Sequence, residues 1–422
     1  MDTLTGDLLD ELRTIPVIDG HEHLPPEADY LKKPRDFYAL FEHYCEADLV
    51  SAGATPADMT AFADRTLLPA TRWQRFRPFY AAIRTGSYAR AAQITIRDIL
   101  GIPDLNDSTY EAVSRAMKEI GKPGLYDHIL RDRCHIAACI NCLQLGAGPF
   151  PGYIHHLADS GSVLDAADRA SFDQMAAAHQ QEIGSLDDLL ICLTRQVEQW
   201  RANPKVVGIK SIHAYGRQIG FRKTPRHEAE AVFNRIRNRP TPGPHENIPL
   251  QDFLIFELVA RAEAAGLPMV FHTGLQAGNF RRIADAHPLL LQPLIEAFPA
   301  ARFDLYHGGM PWVREIAVLA KHFPGVHLNM AWMHIINPVQ ARAALSEWLE
   351  MVPNTKIFGF GGDYAIVEKV YGHLAMAREN IARVLAEKVR DGVMNREEAG
   401  ALARQLMFDN PNAFYRLGLR AK

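Results

Sequence analysis

Short apolar, β-branched runs recur along the chain, and most end on a polar residue. The first is Val17-Ile18, which leads into Asp19-Gly20-His21-Glu22-His23 and then a Pro-Pro turn. Others follow at Cys134–Leu143, Tyr153–Leu157, Val206–His213, Pro268–His272, Arg302–His307, Val326–Trp332 and Lys356–Asp363. Between them apolar positions fall at helical spacing, as at 4–14 and 163–203. Residues 24–132 read as helical and irregular, with an aromatic cluster at Trp73, Phe76, Phe79 and Tyr80 and little β signal. Strands alternating with helices predict a parallel sheet with right-handed crossovers. About eight of them predict an α/β fold, a closed (β/α)8 TIM barrel with a large helical insertion after the first strand. The Gly-rich loop that marks an open dinucleotide-binding sheet is missing after that strand. The expected organisation is one barrel domain over 1–422, with 24–132 as an inserted helical subdomain.

Composition narrows the partners. At 422 residues, 48% hydrophobic and 23% charged, the chain has material for a large core. A net charge of −3 without a long basic run points away from nucleic acid and anionic membranes. No run of about 18 apolar residues is present to span a bilayer, and MDTLTGDLLDELRT has no basic-then-apolar leader pattern, so a cytoplasmic protein is expected. Five cysteines is an odd number, and Cys139 and Cys142 in AACINCLQL read as filling of a buried strand despite their CxxC spacing.

Chemistry collects at the strand ends. Residues two apart on a strand point the same way, so His21 and His23 offer two imidazoles to one metal ion. A barrel places its reactive groups at the C-terminal ends of its strands. There stand His21 and His23 on the first strand, Lys210 and His213 on the fourth, His272 on the fifth, His307 on the sixth and Asp363 on the eighth. For His307 the plain alternative is a structural histidine, and for Asp363 a cap on the next helix. Arg77, Arg84, Tyr88 and Arg90 in the insertion either form a solvated helix face or close over an anionic substrate. His213, Tyr215 and Arg217 could add anion contacts, with Trp312, Trp332, His334, Tyr364 and Asn329 on or near later loops.

The order HxH, FHTG, YHGG and GFGGD resembles the amidohydrolase superfamily of metal-dependent barrels, in particular its amidohydrolase-related group. The long insertion is similar to that of the uronate isomerase branch. The resemblance implies that His21, His23, His272 and Asp363 bind one divalent ion, zinc by preference, or that Asp363 acts as a base beside it. It implies that His307 polarises the substrate or moves a proton. Lys210 stands where binuclear members carry a carboxylated bridging lysine; direct contact with a substrate carboxylate and a structural role are the alternatives.

On this reading the chain is a metal-dependent hydrolase. It would activate water to cleave an amide, lactone or ester bond of a small, carboxylated substrate, with Asp363, His307 and Lys210 as catalytic residues. The alternative is a non-hydrolytic use of the same pocket, decarboxylation or uronate-type isomerisation. Isomerases carry an arginine just past the eighth-strand aspartate, where this chain has Tyr364 and then Ala365. Decarboxylases of the group generally lack so large a first insertion. A small-molecule substrate is the expected partner, and barrels of this type often pair into homo-oligomers.

Overall fold

The computed structural model describes residues 2–142, 144–165, 168–239, 243 and 245–420. Eight strands pair side by side in chain order, every pair parallel. They are β1 (Val17–Glu22), β2 (Ile136–Cys142), β3 (Ile154–Asp159), β4 (Val206–Ser211), β5 (Met269–His272), β6 (Phe303–Tyr306), β7 (Val326–Asn329) and β8 (Ile357–Phe358). The segment after β8 returns to β1, where Gly20 N donates to Phe360 O at 3.1 Å and Asp363 N to His21 O at 2.6 Å. With helices between the strands, this is the (β/α)8 barrel that the alternating pattern predicts.

Local sequence explains the punctuation. The helix Leu186–Ala202 begins at a capping box of Ser185 and Asp188, which satisfies two otherwise orphaned backbone N–H groups. The helix Ile248–Ala265 ends at Gly266 with φ 70°, a left-handed turn that costs glycine little, and β5 follows at once. Inside the barrel Ile18, Ala138, Ile140, Leu157, Val270 and Phe358 pack with Phe408, Phe414 and Tyr415 from the C-terminal segment.

The strands are shorter than the apolar runs suggest. β6, β7 and β8 stop before His307, Trp332 and Asp363, which adopt φ of 66°, 67° and 63°. The chain leaves the extended conformation there in order to turn side chains into the mouth. Such backbone costs about 1–3 kcal/mol per residue and clusters at functional sites. His155 and His156 lie at the start of β3, so they occupy the opposite rim. Leu143, the last residue of the run expected over 134–143, lies outside the described residues.

Between β1 and β2, the described segments are helices and irregular chain, among them Tyr44–Ser51, Pro69–Ile83, Ser87–Asp98 and Tyr110–Ile120. Phe37, Phe41, Phe62, Trp73, Phe76 and Tyr80 form a hydrophobic cluster of their own here, and Trp73 stacks on Tyr110 at 5.4 Å. This unit packs against the barrel helix Val367–Arg390. Tyr30 OH donates to Glu368 at 2.6 Å, Arg35 pairs with the same carboxylate, and Thr95 Oγ1 donates to Glu368 O at 3.0 Å. At the crossing, a Cβ on Gly372 would strike the carbonyl oxygen of Ala91. Gly372→Ala is therefore expected to cost about 1–3 kcal/mol of stability through overpacking, measured as a lower denaturation midpoint. No helix among the described residues is long and apolar enough to cross a membrane.

Candidate active site

Ligating atoms of His21, His307 and Asp363 all lie within 4.8 Å of one another, and all three residues are buried. The end of β1 supplies two imidazoles to one oxygen: Asp363 Oδ1 is 3.0 Å from His21 Nε2 and 3.2 Å from His23 Nε2. Asp363 Oδ2 is 3.8 Å from His307 Nδ1. His272 joins through His307, its Nδ1 lying 2.9 Å from His307 Nε2 while its own Nε2 meets Leu275 O at 2.9 Å. The tight trio thus includes His307, while His23 and His272 flank it. His23 is the member turned towards the mouth, with its side chain 28% exposed against 2% for His21.

Burial sets the charge state. It pushes His21 and His272 down to about 3, helped in each by the Lys210 ammonium. It pushes His307 well below the usual imidazole range, with His272 adding to the effect. Burial alone would raise Asp363, but His21, by charge and hydrogen bond, and the hydrogen bond from His23 outweigh it and hold the carboxyl well below its usual value. Neutral imidazoles around an ionised carboxylate form a donor set that fits one divalent ion.

Beneath this cluster lies Lys210, 1% exposed, its Nζ 3.6 Å above the Tyr306 ring and without a hydrogen-bond partner. Burial lowers it to about 8. Cys142 Sγ lies 2.9 Å from His21 Nδ1, so one member of the CxxC spacing touches the site; all five cysteines are free and buried. Two further acids stand close by. Burial raises Asp19 to about 6, and burial together with the neighbouring Asp19 carboxyl raises Glu22 well above the carboxylate range.

Several residues singled out in the sequence fall elsewhere. His213 bonds Ser211 and Asp165, and Arg217 pairs with Asp252 at 2.6 Å. Arg77 and Arg84 pair on the surface with Asp107 and Asp104. Trp312 packs on His287, and His334 meets Gly359 O at 2.9 Å. Asn329 holds Asp304 at 3.0 Å inside the barrel.

The insertion contributes Tyr88, singled out in the sequence, and His43 and Tyr44, which were not. His43, at φ 70°, and Tyr44 stack on each other at 3.9 Å. Tyr44 lies beside Asp363, and burial and that carboxylate's charge hold its phenol well above the usual range; its ring stacks on Trp332 at 4.3 Å, with Tyr88 on the same indole at 6.2 Å. His43 Nδ1 is buried without a partner. Across the mouth Tyr215 meets His272 edge-on at 4.7 Å. No spacing rule marks FEHYCEA. Its neighbour Asp363 lies more than 300 residues away in the chain, and only the fold unites them.

Comparison with known proteins adds three findings. The family model described as amidohydrolase matches residues 194–417. Among curated proteins, fluG of Emericella nidulans is 27% identical over 227 residues, 51% of this chain and 26% of fluG, so the chain spans about a quarter of that relative. A uronate isomerase of Rhizorhabdus wittichii is 22% identical over 96% of this chain and 94% of its own length. Among solved structures, a uronate isomerase from Thermotoga maritima superposes with a TM-score of 0.81 at 16% identity, covering 98% of both chains. A glucuronate isomerase from Caulobacter crescentus gives 0.79 at 19% identity, over 99% of this chain and 95% of that one. At these identities the structural likeness establishes the fold.

These findings overturn the expectation of a hydrolase that cleaves a C–N or C–O bond. The curated relative matched from end to end and the solved structures with the higher TM-scores, 0.81 and 0.79, are named isomerases, against 0.68 for a putative metal-dependent hydrolase from Lactobacillus casei. The missing arginine after Asp363 counted against isomerisation in the sequence, but a single side chain weighs less than likeness over the whole chain.

Proposed function

The chain belongs to the amidohydrolase family, and from that premise we propose that it is a metal-dependent aldose–ketose isomerase acting on a uronic acid. The observation that carries this reading is the end-to-end likeness to uronate isomerases, including the insertion that brings Tyr44 to Asp363. His21, His23, His272 and Asp363 are the residues we assign to the ion, with His307 beside them, and zinc is the ion we name. When bound, it would polarise the sugar carbonyl and the neighbouring hydroxyl.

The reaction shifts one proton from the carbon beside the carbonyl to the carbonyl carbon, and a second between the two oxygens. Asp363 is ionised and stands at the mouth, so it can take and return the carbon-bound proton. Tyr44, on the insertion side of Asp363, can pass a proton between the oxygens. His307 turns its Nδ1–H to Ala331 O and so offers only the Nε2 lone pair, which we place beside the ion next to His272. Lys210 lies too deep to meet a distant carboxylate, and its charge adds to the burial that keeps His21, His272 and His307 unprotonated. The aromatic walls of Tyr44, Tyr215 and Trp332 suit the apolar face of a sugar and exclude water. For the acid group we assign Arg281, whose guanidinium lies 5.2 Å over the Tyr215 ring and pairs with no carboxylate among the described residues.

The test is to incubate zinc-loaded protein with glucuronate and galacturonate in D2O and follow ketose formation and deuterium incorporation by NMR. Ketose formation supports the reading; hydrolysis of lactones or amides with no action on any uronate removes it. Dialysis against a chelator should abolish turnover, and added zinc should restore it. Arg281→Met should raise KM by about tenfold or more while kcat changes little, the signature of lost uniform binding.

A further inference from the structure

β1 carries two acidic side chains that the proposed reaction leaves unused. Asp19 and Glu22 are fully buried, and one oxygen of each accepts from the backbone on either side of Asp363. Asp19 Oδ1 accepts from Gly362 N at 3.0 Å and from His21 N at 3.2 Å. Glu22 Oε2 accepts from Tyr364 N at 2.6 Å. Between these anchors Asp363 N donates to His21 O at 2.6 Å, and Tyr364 O accepts from His23 N at 3.0 Å. The loop is fitted to the acids as closely as the acids to the loop: Glu22 Oε1 fills the place where a Cβ on Gly362 would stand.

This grip acts on a strained residue. Asp363 has φ 63°, a left-handed conformation that persists in a non-glycine residue only when its surroundings over-determine it. Apolar side chains of equal size would fill the same space but would leave the Gly362 and Tyr364 N–H groups unpaired in the interior. Burying carboxyl groups is costly, and the bonds that these two make go to Gly362 and Tyr364 N–H and to His21 N–H beside them.

We propose that Asp19 and Glu22 are positioning residues: they clamp the segment 361–364 and thereby hold the Asp363 carboxylate against His21 and His23. The inference rests on Asp363 belonging to the functional metal site. Its test uses the full chain with two readouts, the zinc dissociation constant by chelator competition and the split between kcat and KM. Glu22→Ala should weaken zinc by about tenfold or more and lower kcat by about 100-fold with KM nearly unchanged. Glu22→Gln keeps an acceptor for Tyr364 N–H and should recover most of both. In an Asp363→Asn background, Glu22→Ala should add little further loss, because residues that act through one another are not additive.

Zinc affinity and turnover in Glu22→Ala equal to wild type would overturn the proposal, as would an equal loss with and without Asp363→Asn. Should Glu22→Ala fail to fold, Glu22→Asp replaces it, since it retracts the carboxylate by one methylene. Weakened zinc in that variant supports the clamp, and unchanged affinity overturns it. If the wild type binds zinc but converts no uronate, the functional reading falls and the zinc affinities still decide this one.

Discussion

Asp363→Asn should keep the ion at saturating zinc, with an affinity weakened at least as much as by Glu22→Ala, and lower turnover by about 10³–10⁴-fold, the upper part of what general acid–base catalysis contributes. Asparagine has nearly the same volume and keeps a carbonyl oxygen, so it can still face His21 Nε2 and His23 Nε2, now at 3.0 and 3.2 Å from Oδ1. What it lacks is the negative charge and any capacity to take a proton at neutral pH. His21 chiefly, against the effect of burial, holds the carboxyl well below its usual range, so the wild-type residue is ionised at neutral pH. Metal content by elemental analysis and rates on the same purified sample check the prediction. Full activity in the variant would remove Asp363 as the proton carrier.

His21→Ala should instead lose the ion. His21 is the most enclosed histidine of the β1 pair, wedged between Tyr306, whose ring centroid is 4.4 Å away, and Cys142. Its loss takes a nitrogen donor from the trio and a partner from Asp363 at the same time. The expected fall in zinc affinity exceeds the about 10–100-fold typical of changes behind a ligand, and turnover should fall to background at ordinary zinc concentrations. Arg84→Ala is the matched control: its pair with Asp104 is half exposed, and stability should move by no more than about 0.5 kcal/mol. Zinc binding in His21→Ala as tight as in the wild type would place the ion elsewhere.

The barrel was legible because its signal is local and repeated: an apolar run, a polar end, a helix, then the same again. The rule that barrels work at the C-terminal rim then selected His21, His272, His307 and Asp363 from a background of 18 histidines and 49 acids. Other features had no local signal. Tyr44 reaches the site across the whole chain, and its aromatic neighbours Tyr88 and Trp332 come from two different segments. The positive φ of His307, Trp332 and Asp363 leaves no trace in periodicity, so the strands looked longer than they are. Reaction type was misread for a different reason. One donor set can serve hydrolysis, decarboxylation or isomerisation, and fold motifs do not distinguish them.

The separate aromatic nucleus of the insertion has a thermal corollary. A unit with its own Phe37–Phe76 packing, joined to the barrel along the helix Val367–Arg390, can melt ahead of it. Because that unit owns Tyr44, catalytic competence should fade on heating before the cylinder of strands loses its circular-dichroism signature, with the ion still seated on β1. Amide exchange across 44–98 would then quicken at temperatures where Ile18, Val270 and Phe358 remain protected.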